Sequence, residues 1–264
     1  MSEPTNPTID LLLQRRSIRA YTDQPIPPEV KAQLLQSTLR APTAGNMTLY
    51  TIIDVQDQAL KDRLAVTCDD QPFIATAPLL LLFLADYQRW EDYYTACGVD
   101  ELCAQKGLER RRPQEGDLFL ACCDALIAAQ TAVTAADALG LGSCYIGDIM
   151  ENYEIHRELF DLPRYVFPIA MLCIGYPTEQ QKNRPQPERF DPQYVVFPDR
   201  YHHQDKAELE EMFRSRQERV FAGRERLGEA ANFGQANYLR KFSAEFSHEM
   251  TRSVQAILKA WRGE

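Results

Sequence analysis

The sequence contains no C-x-x-C pair, and its histidines are few: His156, His202, His203 and His248, set apart from the cysteines. Neither a zinc site nor a dithiol redox centre is expected from such spacing. The seven cysteines, Cys68, Cys97, Cys103, Cys122, Cys123, Cys144 and Cys173, are odd in number, and the adjacent Cys122 and Cys123 would bridge only under strain. Reduced thiols are therefore expected. Cys122, Cys123, Cys144 and Cys173 fall in apolar segments where cysteine behaves as a small hydrophobe, and nothing marks a thiol nucleophile. There is no G-x-G-x-x-G turn of the dinucleotide-binding kind. No apolar run reaches the roughly 20 residues that cross a bilayer; the longest, Ala77 to Ala85, reads as a buried strand. The beginning, Met1-Ser2-Glu3-Pro4, lacks a basic stretch followed by an apolar one, so no secretory signal is expected and a cytoplasmic location is the default. Positive charge is in deficit, with a formal net charge of −9, and neither a nucleic-acid nor a membrane partner is expected.

Against that acidic background stands Arg15-Arg16-Ser17-Ile18-Arg19, placed between an apolar segment that begins near Pro7 and the turn Gln24-Pro25-Ile26-Pro27-Pro28. Two readings are open. The guanidiniums and the hydroxyl form an anion site, or the arginines are solvated charges at a helix end, favoured there by the helix dipole.

At 264 residues and 45% hydrophobic content the chain can bury a substantial core, and it is expected to form a single domain over residues 1–264. Helices are predicted from Pro7 to Arg15 and from Pro27 to Leu39, where Val30, Leu34, Leu35 and Leu39 recur at helical spacing until Pro42. Thr48 to Val55 reads as a strand, Gln58 to Ala65 as a helix and Ala77 to Ala85 as the next strand. Residues 86–116 are polar, aromatic and irregular, an expected lid insertion ending in Arg110-Arg111-Arg112, which reads as a solvated face. Asp117 to Leu139 is an alanine-dense helix that must be buried with other helices close by, ended by Gly140 and Gly142. A short strand from Ser143, a helix from Tyr153 to Phe160 and a strand from Phe167 to Ile174 follow. Residues 205–264 read as a charged helical extension.

Three more segments have site character. Ala41-Pro42-Thr43-Ala44-Gly45-Asn46 permits unusual backbone angles that bring main-chain amides against a planar ligand. Gly142-Ser143-Cys144-Tyr145-Ile146-Gly147-Asp148 has glycines where backbone can lie against a flat ring. Lys182 and Arg184 add two cations suited to a phosphate.

The order R-R-S-I-R-A-Y-T-D-Q-P-I, A-P-T-A-G-N, A-L-G-L-G-S-C-Y-I-G-D, then C-I-G-Y-P with K-N-R-P, resembles the FMN-dependent nitroreductase family, most of all its oxygen-insensitive NAD(P)H nitroreductase and NADPH-flavin oxidoreductase branch. The resemblance runs over about residues 7 to 200 and is poor in the tail. It implies an α+β fold with a mainly antiparallel sheet flanked by helices, and an intertwined homodimer with one FMN at each of two subunit interfaces, the Asp117 to Leu139 helix being central to the dimer. It further implies that Arg15, Arg16, Ser17 and Arg19 hold FMN, with Lys182 and Arg184 reaching the phosphate. Arg15, Arg16 and Ser17 share the phosphate and ribityl end, and Arg19 partners the ring. Gln71 corresponds to a glutamine at the flavin edge, Thr43, Ala44, Gly45 and Asn46 line the site from the partner subunit, and the backbone of Tyr145, Ile146, Gly147 and Asp148 lies beside the isoalloxazine. Asp148 departs from the glycine common in the branch.

The implied activity is hydride transfer from NAD(P)H through flavin to nitroaromatic, quinone or flavin acceptors by ping-pong kinetics, with no catalytic side chain because the flavin carries the chemistry. For NADPH, only Arg224 and Arg226 approximate the branch's arginine-rich loop; Glu225 and Glu229 oppose a 2′-phosphate, and ordinary helix-end charges are the competing reading. Two rivals are kept: a reductive dehalogenase-like member using Glu91, Tyr94 and Lys106 as a lid over a zwitterionic substrate, and a flavin-binding protein without turnover.

Overall fold

The computed structural model describes residues 6–264; Met1-Ser2-Glu3-Pro4, on which the expectation of no secretory signal rests, lies outside the described residues. Two compact units are present. The first runs through Gln186 and takes in Glu249–Glu264, and the second is Pro187–His248.

The first unit carries α1 (Pro7–Gln14), α2 (Pro28–Thr38), β1 (Tyr50–Asp54), α3 (Gln58–Thr67), β2 (Leu79–Asp86), α4 (Gln88–Ala96), α5 (Val99–Lys106), α6 (Glu115–Ala138), β3 (Gly142–Ile146), α7 (Tyr153–Leu159), β4 (Val166–Gly175) and α8 (Glu179–Lys182). The strands form one antiparallel sheet in the order β1-β2-β4-β3. β2 is central and every residue of it is buried, which is why its sequence is an unbroken apolar run rather than an alternation. β4 pairs along its length with β2 except for a register shift beside Pro168, which has no N–H to give the ladder. The fold is α+β with an antiparallel sheet, as expected.

α6 lays Ala125, Ala128, Ala129, Ala132, Val133 and Ala136 against Leu34 of α2 and against Leu81, Phe83 and Leu172 of the sheet. The small side chains thus serve close approach to strands as well as to a helix. Its other side is bulky and open, with Phe119 69% exposed and Leu120, Leu126 and Ile127 also exposed. By length and composition α6 could cross a membrane, but its alanine face is part of this core.

The 86–116 segment is not irregular: it holds α4 and α5, and of its arginines Arg110 is withdrawn from solvent while the exposed Arg111 and Arg112 are ion-paired. Arg110 pairs with buried Glu91 at 2.8 Å and also with Asp100; Arg112 pairs with Glu91, and Arg111 with Asp117 at 2.6 Å. Carboxylates from three helices meet the run, a partnership across 6 to 21 residues that local pattern does not display.

The second unit holds α9 (Lys206–Phe221), begun by a capping box of Asp205 and Glu208, and α10 (Phe233–Asn237). Phe213 brings it together, with ring centroids 5.0 Å from Phe190 and 6.0 Å from Phe233. α11 (Glu245–Arg262) follows, and its residues from Glu249 onward belong to the first unit. There Ser253, Ile257 and Trp261 are buried, Trp261 against Tyr165 with its indole N–H donating to the Gln114 carbonyl at 3.1 Å. The end of the charged tail is therefore core.

Candidate functional site

α1 starts with Pro7 in its first turn and the Asn6 side chain accepting from the amides of Thr8 and Ile9, and it stops at Gln14, after which the chain runs extended. Ser17 bridges Ser143 of β3, and the Ile18 amide donates to the Ser143 carbonyl at 2.9 Å. Residue 142 must be glycine here, because a Cβ would collide with the Ile18 side chain. Tyr21 donates its hydroxyl to the Ile18 and Cys173 carbonyls at 2.8 and 2.9 Å, and burial pushes its pKa far above the ordinary phenol range, so it remains a neutral donor.

This extended segment is fastened to the turn that follows β4. Arg16 donates one guanidinium nitrogen to the carbonyls of Lys182 and Arg184 at 2.6 and 2.7 Å, the Arg19 amide donates to the Gln181 side chain at 3.2 Å, and Gln186 donates to the carbonyls of Leu13 and Arg15. The arginine cluster is thus woven into a β3 edge and a turn, which is not how a solvated helix end behaves. Arg16 acts first as a backbone clamp, a role separate from those of Arg15 and Arg19.

Donors remain. Among the described residues, the guanidiniums of Arg15, Arg19 and Arg184 donate no hydrogen bond, whereas the Lys182 ammonium pairs with Glu179 at 2.6 Å. Arg15, Arg16 and Lys182 line a cavity of about 200 Å³ together with Asp137 from the last turn of α6. Burial raises the Asp137 carboxyl to about 6, an effect Arg15 partly offsets. Behind the Arg15–Arg19 strand the Ser143 hydroxyl is buried with no partner among the described residues. The unpaired forked donor of Arg15, with Arg16 and Lys182 beside it in a small cavity, suits a phosphate by geometry and charge.

The far end of β3 has the opposite character. Tyr145 is half-buried, Ile146 is buried, and Gly147 is exposed with open space where a side chain would be. Asp148 accepts from the Gln71 amide at 2.9 Å, and the same nitrogen donates to the Cys68 carbonyl at 2.8 Å. Gln71 therefore meets Asp148, and its carbonyl oxygen is what it has left for a ring edge. Glu151 is 4% exposed, with one carboxyl oxygen unpaired. Burial raises it to about 7, reinforced by the nearby charges of Asp148, Asp69 and Glu249.

Thr43 to Asn46 lie in the turn before β1. Asp124, 2% exposed on α6, accepts from the amides of Ala44 at 2.8 Å and Leu49 at 3.0 Å, and Thr43 Oγ1 accepts from the Thr48 amide. These bonds hold Gly45, Asn46 and Thr48 at φ of 55°, 57° and 53°, a conformation a β-branched threonine adopts only under such constraint. β1 and β3 are the two edges of the sheet, three strand spacings or roughly 14 Å apart. The turn also enters at the end of the sheet opposite the one where Ser17 meets β3, since Tyr50 aligns with Ala85 and Phe167 whereas Gly142 aligns with Gly175. Within one chain Thr43–Asn46 and Arg15–Arg19 occupy diagonal corners.

Arg224 lies in the second unit, where its guanidinium makes no hydrogen bond among the described residues, while Arg226 donates to the Glu229 carbonyl at 2.7 Å. Of the lid trio, Glu91 is committed to Arg110 and Arg112, Tyr94 stacks on Trp90 at 5.6 Å, and Lys106 is exposed. That leaves no free carboxylate for a zwitterion's ammonium. Sequence reasoning missed Asp124, Asp137, Gln181 and Glu151. A signal existed for two: beyond the first turn of α6, Asp124 and Asp137 are its sole charged residues. Among the described residues no group of three or more His, Cys, Asp or Glu side chains is placed to hold a metal ion.

The profile of the nitroreductase family matches residues 12–176. An FMN reductase [NAD(P)H] of Bacillus subtilis is 35% identical over 181 residues, 69% of this chain and 70% of that protein. An oxygen-insensitive NADPH nitroreductase of Salmonella typhimurium is 32% identical over 196 residues, 74% and 75% of the two chains. The solved structure of NfrA2 from B. megaterium superposes with a TM-score of 0.77 at 27% identity, covering 97% of this chain and 98% of that one. The matched span takes in the arginine strand, the Asp124-held turn and the glycine edge of β3, and the chain belongs to the nitroreductase family.

Proposed function

We propose that the chain is an FMN-dependent NAD(P)H oxidoreductase that passes hydride to nitroaromatic, quinone or flavin acceptors. The observation that carries this reading is the cavity lined by Arg15, Arg16 and Lys182, with unpaired guanidiniums at Arg15, Arg19 and Arg184 and an open glycine edge farther along β3. These residues fit a phosphorylated flavin. Arg15, Ser17 and Arg184 hold the phosphate and ribityl end, Arg16 keeps their backbone together, and Lys182 joins them on leaving Glu179. Arg19 supplies positive charge to the pyrimidine edge. Tyr145, Ile146, Gly147 and Asp148 lie along the ring, with Gln71 fixed against Asp148. When bound, the flavin supplies the two-electron chemistry. No side-chain nucleophile is called for, and one pocket serving donor and acceptor in turn gives ping-pong kinetics.

The assembly is a homodimer whose sites are shared. Thr43–Asn46 and Arg15–Arg19 sit at diagonal corners of one sheet, so the turn of one chain serves the site of its partner, and the exposed face of α6, with Phe119, Leu120, Leu126 and Ile127, is buried between them. Arg224 is the residue for a 2′-phosphate, which gives NADPH preference. Residues 86–116 and 205–264 are the variable elements of a single nitroreductase-like domain. The seven free thiols support a cytoplasmic location.

Anaerobic addition of NADH or NADPH to the purified yellow protein tests the reading: the flavin band bleaches, and NADPH does so at the lower concentration. A yellow protein that neither reductant bleaches is a binder without turnover. A protein that purifies colourless and takes up no FMN overturns the proposal.

A further inference from the structure

The cavity that offers cations also contains a carboxylate, and nothing in the hydride chemistry uses it. Asp137 stands on the last turn of α6, where the helix dipole already disfavours an anion. Its backbone carbonyl accepts from the amides of Leu139 and Gly140, but its side chain accepts no hydrogen bond among the described residues. The charged groups facing it are Arg15 and Arg16 from the segment after α1 and Lys182 from α8; the other lining residues, from α1, the start of β3 and Pro177, carry no titratable group.

We infer that Asp137 is a proton-linked counter-anion of this cavity, a residue that competes with a phosphate for Arg15 and is neutralised by a proton when the phosphate enters. The inference rests on the FMN reading and deepens it. A dianion and a carboxylate sharing one small cavity repel, so the bound phosphate raises the proton affinity of Asp137. By reciprocity a protonated Asp137 raises the affinity for the phosphate. Burial pushes the carboxyl up to about 6, so it is ionised at neutral pH and loading then takes up a proton. Asp137 thereby ties retention of the phosphorylated cofactor to pH, and it leaves an unphosphorylated flavin unaffected.

The test compares the holoenzyme with Asp137→Asn, measuring FMN released on dilution by its fluorescence from pH 5 to pH 8. The ratio of the two dissociation constants cancels the phosphate's own titration near pH 6. The wild-type constant is expected to equal that of Asp137→Asn at pH 5 and to exceed it about tenfold at pH 8, one pK unit of coupling. Riboflavin is expected to show a ratio near one throughout. Calorimetric titration of the cofactor-stripped wild-type and Asp137→Asn proteins at pH 7 in two buffers of different ionisation enthalpy reads, as the difference between them, the proton that Asp137 takes up on FMN binding. A flat FMN ratio, an equal effect on riboflavin, or no difference in proton uptake each overturns the inference while leaving the FMN reading intact. A protein that binds neither FMN nor riboflavin overturns the FMN reading, and this inference with it.

Discussion

The two ends of β3 are opposites. At its start, beside Gly142 and Ser143, guanidinium donors lack acceptors and a buried hydroxyl lacks a partner; past its other end, at Asp148 and Glu151, carboxylates crowd one another and a buried carboxyl oxygen goes unpaired. A five-residue strand separates an excess of donors from an excess of acceptors. Each excess costs folding energy, because unsatisfied polar groups and uncompensated charge are expensive in a partly buried setting. The difference teaches how such a site is polarised. On the proposed reading its cationic end is neutralised by a ligand, while at its acidic end burial and neighbouring carboxylates raise the proton affinity of Glu151.

The most direct way to break the comparison is to remove the donors. Arg15→Ala combined with Arg184→Ala deletes two charge-assisted contacts of about 1.5–3 kcal/mol each, and FMN affinity at pH 7 is expected to fall at least about a hundredfold while riboflavin affinity changes little. Fluorescence titration with the two flavins checks this. An equal loss for both flavins would place these arginines away from the phosphate. The next effect concerns the third corner of the sheet. Asp124→Ala strands the amides of Ala44 and Leu49 and releases the strained turn, at an expected cost of about 3 kcal/mol in denaturant unfolding. If the turn serves the partner's site, the variant also loses turnover beyond what its folded fraction explains.

The cationic end was legible in the sequence and the acidic end was not. Arg15, Arg16 and Arg19 announce themselves because three like charges stand together on an acidic chain, and the glycines of β3 mark close approach of backbone. Glu151 and Asp148 are ordinary in sequence. The raised proton affinity of Glu151 comes from burial and from Asp148, Asp69 after α3 and Glu249 on α11, which only the fold brings near. The strands and long helices were legible for the same local reason: β2 is an apolar run and α6 is a run of alanines. The tail shows the limit. Ser253, Ile257 and Trp261 recur every fourth residue and mark one buried face, but the charges around them read as a solvated extension. Likewise Arg110 and Arg112 read as solvent-facing because Glu91 and Asp100, their partners, lie a helix away.

Glu151→Gln sharpens the acidic end. The wild-type carboxyl binds its proton more tightly in the folded protein, about 7, than at its ordinary value of 4.5, so between those values the folded state holds more protons than the unfolded one. Stability from this group is therefore full below pH 4.5, falls as pH rises, and reaches its floor above pH 7. Glu151→Gln is expected to flatten that slope, leaving stability unchanged at pH 4 and raising it by about 2 kcal/mol at pH 8 in urea unfolding. A variant less stable than wild type at pH 8 would mean that the ionised carboxylate has a partner.

The smallest effect separates two arginines of one cluster. Arg19 has an exposed guanidinium that donates no hydrogen bond among the described residues, whereas Arg16 holds the carbonyls of Lys182 and Arg184. Removing a screened, exposed charge weakens its electrostatic contribution by about 1 kcal/mol, so Arg19→Ala is expected to slow hydride transfer about fivefold in stopped-flow reduction with little change in melting temperature. Arg16→Ala frees two backbone carbonyls and is expected to lower the melting temperature, with a smaller effect on the rate once FMN is saturating. Equal effects of the two substitutions on both quantities would remove the division between clamp and ring partner. The cluster would then be one undivided cation, and the polarity of β3 would reside in net charge rather than in the placement of particular donors.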